Sequence, residues 1–357
     1  MYMQKGITMG GNVLIIHGGG LVDTSKEVIL RIAEGLYSRK IYDNIFLGKY
    51  SFMSLYNKDL WIPYDYKVEE SLSNARGTFF GTCRGIDLTN PDLMNSAITE
   101  LKAMEVSTVI VCGGDGSARQ CAEIADKFLE VGINIIFAVP LTVDGINGGW
   151  SIGIKQAVRE AVRQIENIAA TSLETLDNGN YSVVAVELQG RNRDDILAHV
   201  LQYFHRQGYI ADCSLEHIVI KAVPANYELN EESFLREVNA FVSRTLVLAS
   251  EGAKFKVSDL QKYTNRKVRT LVVGHAVQSN GMTTEEDMIK YDEWLEDVVN
   301  FIAEKPCDSF CVVNDGISRW KEPIDYYAKL NPRNGQKAEL SKGLEELIIK
   351  YMSEYLT

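Results

Sequence analysis

The chain has 357 residues, 46% of them hydrophobic and 24% charged, enough to bury two ordinary cores without disulfides or a structural metal. Its 37 Lys+Arg against 48 Asp+Glu leave a formal net charge of -11, the wrong sign for a surface that neutralises a nucleic-acid backbone, although a small anion needs only a local positive site. The cysteines Cys83, Cys112, Cys121, Cys213, Cys307 and Cys311 lack zinc-binding spacing, no apolar run is long enough to cross a membrane, and residues 1–6 hold no signal-peptide core, so a cytoplasmic protein with buried free thiols is expected.

In chain order, short Val/Ile-rich runs alternate with amphipathic stretches. Val13–Ile16 reads as a strand, followed by Gly18-Gly19-Gly20 and a helix over Lys26–Leu36. A glycine-rich loop, Arg76–Gly85, precedes a helix over Pro91–Met104 and a strand over Thr108–Cys112. The turn Gly113–Ser117 leads into a helix over Ser117–Phe128, then a strand over Asn134–Val139. Helices over Ile152–Ile168, Asp194–Arg206 and Glu231–Leu246 alternate with strands over Val183–Val186, His217–Val223, Thr270–Val273 and Phe310–Val313. The chain closes with an amphipathic stretch, Leu340–Tyr355, expected to pack on the core or on a second subunit. Such runs look like buried strands of parallel sheets. Their alternation with helices predicts βαβ units and a doubly wound α/β fold. We expect a discontinuous first lobe, residues 1–150 plus about 270–320, with a second lobe at 151–269 inserted and a helical extension at 321–357. Gly145, Gly148 and Gly149 mark the hinge region.

The strongest chemical signal is Gly113-Gly114-Asp115-Gly116-Ser117 between a strand and a helix. Glycines let the backbone approach a ligand closely, and the first helical turn offers unpaired N–H groups with positive dipole charge. That is a phosphate cradle. Asp115 is placed to hold magnesium, and Ser117 to cap the helix or donate to a phosphate oxygen. Neither this turn nor Gly18–Gly20 carries a Walker lysine, so the chain is not a P-loop enzyme. After Pro140, Thr142 and Asp144 stand two apart; Asp144 suits a base for an attacking hydroxyl, and equally an Asx-turn. Arg84 lies between glycines, where its guanidinium can clamp phosphates, and Arg191 follows Gln189-Gly190 at a strand end, where it can meet developing charge.

Taken in order, these segments resemble the phosphofructokinase family: the glycine turn after the first strand, Gly77-Thr78-Phe79-Phe80-Gly81-Thr82-Cys83-Arg84, Gly113–Ser117, Pro140–Ile146 and Gln189-Gly190-Arg191. The resemblance implies two doubly wound, Rossmann-like lobes with parallel sheets, an active site in the cleft between them, and a homodimer or homotetramer. It implies that Gly19, Gly20, Arg84, Gly114, Asp115, Gly116 and Ser117 hold the nucleotide, with Mg2+ on Asp115. Thr142 would orient the transferring phosphoryl, Asp144 would act as base, and Arg191 would face the developing charge, with Gln189 and Gly190 beside the acceptor. The residue at 116 is small in ATP-using members and commonly Asp in pyrophosphate-using ones, so Gly116 favours ATP as donor.

The acceptor side departs from the family pattern. Positions where the resemblance expects charged contacts to a sugar phosphate read Ser182, Ala222, Ser279 and Met288, and Ile146 replaces a second Asp. Desolvating a phosphomonoester without paired cations is costly. The expectation is therefore an ATP-dependent kinase for a sugar, polyol or nucleoside hydroxyl lacking the 6-phosphate. The alternatives are a conventional 6-phosphofructokinase and a non-catalytic nucleotide-binding subunit.

Overall fold

The computed structural model describes residues 10–19, 24–65, 80–143, 150–172, 176–177, 179–189, 194–206, 218–225, 232–233, 236, 239, 244–253, 256–281, 283–304, 308–330 and 340–352. The chain divides into two compact units, Met1–Gly153 with Met282–Gly335, and Ile154–Gly281 with Gln336–Thr357.

The first unit opens with β1 (Asn12–His17), α1 (Ser25–Ser38), β2 (Ile45–Gly48) and β3 (Trp61–Pro63). There follow α2 (Pro91–Ala103), β4 (Val106–Gly113), α3 (Asp115–Leu129) and β5 (Asn134–Pro140). Local chemistry sets several of these boundaries. Asn90 caps α2 by accepting from the N–H groups of Asp92 and Leu93, and Pro91 occupies the first turn, where its missing donor costs nothing.

The second unit contributes α4 (Ile154–Ser172), a short hairpin of β6 (Leu176–Asp177) and β7 (Asn180–Tyr181), β8 (Val183–Leu188), α5 (Asp195–Arg206), β9 (Ile218–Val223), β10 (Arg244–Ser250), β11 (Val268–Val273) and α6 (His275–Gln278). The chain then returns to the first unit with α7 (Glu285–Glu304), β12 (Phe310–Asn314), β13 (Arg319–Pro323) and α8 (Tyr326–Leu330), and ends in α9 (Lys342–Tyr351) of the second.

Seven strands form the sheet of the first unit, in the order β13-β12-β5-β4-β1-β2-β3. Its five inner strands are parallel, and the two edges, β3 and β13, are antiparallel. Buried Leu14, Ile16, Val109, Val111, Ile135 and Phe137 face Ala118, Cys121, Ile124 and Phe128 of α3 in one core. Elsewhere in this unit, Gly35 lets α1 approach Val299 of α7, where a Cβ would stand 2.8 Å from a valine methyl. The chain leaves β1 towards β2, then crosses back to β4 on the other side of β1. Adjacent β1 and β4 therefore form a topological switch point, where open α/β sheets bind ligands beyond the strand carboxyl ends.

The second unit has a four-stranded parallel sheet, β11-β8-β10-β9. Its core includes Val183, Ala185, Val223, Val247, Ala249, Val257 and Leu260. Buried Arg266 donates to the carbonyls of Tyr181 and Ser182 and to the Thr245 hydroxyl, tying together the amino ends of β8 and β10.

The fold is α/β with doubly wound sheets, as expected, and several details differ. Thr270–Val273 does not return to the first sheet: it pairs with β8 as an edge strand, with Val272 53% exposed, and the first unit resumes at Met282. Arg244–Leu246, expected at the end of a helix, opens β10, where the β-branched Thr245 and Val247 fit a pleated surface. Residues 321–357 are not one extension. Lys321–Pro323 belongs to β13, whereas α9 packs in the second unit, with the Tyr351 hydroxyl 3.1 Å from His205 Nδ1. Among the described residues no helix is long and apolar enough to cross a membrane.

Candidate functional site

The carboxyl ends of β1 and β4 meet through three small residues. The Gly18 N–H donates to the Cys112 carbonyl at 2.7 Å, and the Ser117 hydroxyl donates to the Gly18 carbonyl at 2.7 Å. Any larger residue here would collide: a Cβ on Gly18 or on Gly113 would stand 2.6 Å from an atom of Ser117. Two other glycines face open space. A Cβ on Gly19 or on Gly116 would meet nothing within 4 Å, and Gly19 needs its glycine for another reason, a φ of +98°.

Helix α3 starts earlier than its hydroxyl led us to expect. Gly114, in an extended conformation, is the N-cap, and Asp115 is the first helical residue. Ser117 is therefore no cap; it sits 4% exposed, two positions further in, and its hydroxyl serves Gly18. The shift places the half-buried Asp115 carboxylate and the exposed Gly116 in the first turn, where the dipole and unpaired N–H groups draw negative charge.

Thr142 reaches the same helix end. A Cβ on Gly114 would stand 3.4 Å from the Thr142 Cβ and 3.6 Å from its Oγ1. The preceding residue, Leu141, is fully buried and bonds through its N–H to the Gly113 carbonyl at 2.8 Å. Thr142 itself is 8% exposed.

The exposed Arg84 lies between Gly81 and Gly85, which have φ values of +66° and +80°. Two contacts hold its loop: the Gln120 side chain on α3 donates to the Ile86 carbonyl at 2.9 Å, and the Tyr50 N–H donates to the Phe80 carbonyl at 2.7 Å. The Tyr50 ring occupies the space a Cβ at Gly81 would need. Sequence reasoning missed Gln120 and Tyr50. Gln120 stands one turn beyond Gly116, a signal that was there to be used; Tyr50 gives none, because its bond to Phe80 and its ring's approach to Gly81 join segments remote in sequence.

In the second unit, Gln189 follows β8 and its side-chain carbonyl accepts the N–H of His275, pinning the turn after β11. Gly20, Asp144, Gly190 and Arg191 lie outside the described residues. The first unit thus brings Gly18, Gly19, Gly113–Ser117 and Thr142 together, with the Arg84 loop fastened to the same helix.

A glycine-lined crevice, a helix N-terminus and a threonine at a switch point characterise phosphate handling but not one family. Residues 12–302 match the family model described as phosphofructokinase. The chain belongs to the phosphofructokinase family. An ATP-dependent 6-phosphofructokinase of Erwinia tasmaniensis is 27% identical over 268 residues, 72% of this chain and 73% of that protein. A pyrophosphate-dependent phosphofructokinase of Marinobacter aquaeolei shares the fold with a TM-score of 0.70 at 15% identity, over 97% of this chain and 92% of that one. The T-state phosphofructokinase of Pichia pastoris gives a TM-score of 0.69 at 17% identity over 96% of this chain, which spans only 40% of that larger one.

Three of the positions at which the sequence departs from the expected pattern are packed within the second unit. Ser182 and Ala222 are fully buried and Ser279 is 6% exposed. Ala222 stands inside β9 in register with Leu248, fully buried on the sheet face opposite Val223 and Ala249; the strand ends at Val223, and beyond it the Ala225 N–H bonds Asp194 at 2.8 Å. The Ser279 hydroxyl donates to the His275 carbonyl within its own turn. Asp287 accepts from the Thr284 N–H and hydroxyl at 3.1 and 2.9 Å, a capping box that starts α7.

Proposed function

We propose that this phosphofructokinase-family chain transfers the γ-phosphoryl group of ATP to a hydroxyl of a sugar phosphate, as a 6-phosphofructokinase does. The observation that carries the reading is Thr142 set against Gly114 at the N-terminus of α3, beside the open space over Gly19 and Gly116. Phosphates lying in that space would meet backbone N–H groups and the helix dipole, with Arg84 adding a cation. The likeness to the Erwinia tasmaniensis protein, named as an ATP-dependent 6-phosphofructokinase, supports donor and acceptor alike.

Phosphoryl transfer asks a protein mainly for positioning and charge. Thr142 orients the transferring group, Asp144 takes the proton of the attacking hydroxyl, and Arg191 meets the charge that develops. Gln189 and Gly190 are the residues we assign to acceptor recognition. Magnesium is commonly held by one or two carboxylates plus substrate phosphates and water, and a half-buried carboxylate stands in the first turn of α3. Asp115 is the carboxylate we assign to it. Gly116 favours ATP over pyrophosphate, because the resemblance puts a small residue here in ATP-using members. On this reading the protein works in the cytoplasm as a homodimer or homotetramer, which light scattering would size.

A second reading, transfer to an acceptor without a 6-phosphate, is favoured by buried Ser182, Ala222 and Ser279 at the altered positions. A coupled assay separates the two. Turnover of Mg-ATP with fructose 6-phosphate supports the first; turnover with neutral sugars, polyols or nucleosides alone supports the second. Phosphoryl transfer from pyrophosphate but not ATP overturns the donor assignment, and ATP binding without turnover on any acceptor leaves a non-catalytic nucleotide-binding subunit.

A further inference from the structure

We infer that Ser151 is a positioning residue for phosphoryl transfer: its hydroxyl holds the Thr142 carbonyl, and so fixes the peptide after Thr142, the residue set against Gly114 at the N-terminus of α3. The inference deepens the function proposed above and rests on it.

The chain leaves the first sheet after Pro140 and comes back to it at Ile152. There Leu141 and Ile152 form a single parallel bridge. The Ile152 N–H donates to the Pro140 carbonyl at 3.0 Å, and the Thr142 N–H donates to the Ile152 carbonyl at 3.0 Å. Beyond this bridge no further backbone pair closes among the described residues. The next acceptor, the Thr142 carbonyl, takes the Ser151 hydroxyl at 2.9 Å instead. Leu141, Thr142, Val143, Ser151 and Ile152 are all buried, so each of these bonds is shielded from water.

The returning arm has its own anchor. The half-buried Trp150 ring meets Trp294 edge-on at 4.6 Å and Tyr291 at 6.1 Å. Gly316 fits beneath it, where a Cβ would stand 3.3 Å from the indole. Trp294 is 1% exposed, which makes α7 a firm base for that wedge. The Ser151 hydroxyl is thus held on a fixed arm, and its bond sets the plane of the peptide that joins Thr142 to Val143.

A side chain was needed here because the two arms part. Thr142 must turn its own side chain to Gly114 while its carbonyl stays paired, and a hydroxyl one residue before the bridge meets both demands. Loss of that bond frees the peptide after Thr142 without touching Gly18, Gly19 or the first turn of α3. Donor binding and chemistry should therefore separate.

The test uses the full chain with Ser151→Ala and Ser151→Thr, assayed for kcat and KM with Mg-ATP and the acceptor that the wild type turns over, and by calorimetry for Mg-ATP affinity. Ser151→Ala is expected to lower kcat about tenfold or more and to leave the Mg-ATP Kd within about twofold of wild type. Ser151→Thr, which keeps the hydroxyl, restores most of kcat. If Ser151→Ala does not fold, Ser151→Cys, with a similar shape and a weak donor, is read in its place. An unchanged kcat in the hydroxyl-free variant, or kcat and affinity falling together, overturns the inference while leaving the function standing. A wild type that transfers phosphoryl to no acceptor overturns the proposed function, and this inference with it.

Discussion

The Ser117 hydroxyl donates to the Gly18 carbonyl at 2.7 Å, joining two turns 99 positions apart. Through that bond the glycine turn after β1 and the first turn of α3 become one surface. Ser117→Ala removes the donor and leaves a partly buried carbonyl short of a partner, which costs about 1 kcal/mol. Urea unfolding should show that loss, and calorimetry a Mg-ATP affinity weakened about tenfold as the two turns lose register. Unchanged values in both would mean that the contact between glycines alone holds the turns.

Gly116 differs from its neighbours in having nothing within 4 Å of where a Cβ would lie. Gly116→Asp should therefore fold with stability within about 0.5 kcal/mol of wild type, helped by the helix dipole. The new carboxylate would nonetheless stand where phosphates are expected, and Mg-ATP affinity should drop about tenfold or more from like-charge repulsion. Paired unfolding and calorimetric measurements check this; an unaffected affinity would place the nucleotide elsewhere.

Asp144 carries the proton-transfer role in the proposed reaction. Asp144→Asn should lower kcat about 10²- to 10⁴-fold, the usual worth of general-base catalysis, with Mg-ATP binding retained. Initial rates and calorimetry on the same preparation decide it. Near-normal turnover would return Asp144 to a turn-forming role.

The strands and helices that build the first site were legible because each carries its own period: buried Val106–Gly113, then the amphipathic Asp115–Leu129. The glycine turns were legible too, since no other residue type allows such approach. What the sequence hid was the work of individual polar groups. Ser117 looks like a cap, yet its hydroxyl goes to Gly18, because Gly114 starts the helix without a side chain. Ser151 acts on a backbone carbonyl and Tyr50 on a loop remote in sequence, and neither leaves a residue-type signature. The edge position of β11 and the split of residues 321–357 between two units depend on pairings remote in sequence, which local pattern does not encode.

Burial pushes the thiols of Cys112 and Cys311 up to about 12, and that of Cys121 well above its ordinary value. Thiolate is the reactive form, so all three should resist alkylation in the native protein. Cys83 is partly exposed and adjoins Arg84. Peptide mapping after brief iodoacetamide treatment at pH 8 should find Cys83 modified and those three intact until urea is added. Mg-ATP should slow labelling of Cys83. Labelling that ignores the nucleotide would detach the Arg84 loop from the donor site.

His199 on α5 supplies a pH-dependent element in the second unit. Burial holds its imidazole below its ordinary value of 6.5, and Arg206 acts in the same direction, while Asp195 and a bond to Gln202 offset part of the effect. The unfolded chain therefore takes up this proton first as pH falls. Between 6.5 and the lower folded value the unfolded state binds more protons, so stability declines as pH drops through that window. Below the folded value the penalty is complete, and above 6.5 it vanishes. Replacing His199 with Gln removes the titrating group. Urea unfolding from pH 8 to pH 5 should then show a shallower acid-side decline in His199→Gln than in wild type, with the two curves parallel above neutrality. Equal slopes below pH 6.5 would mean that the folded imidazole protonates as readily as the unfolded one, and that packing around α5 yields to admit the charge.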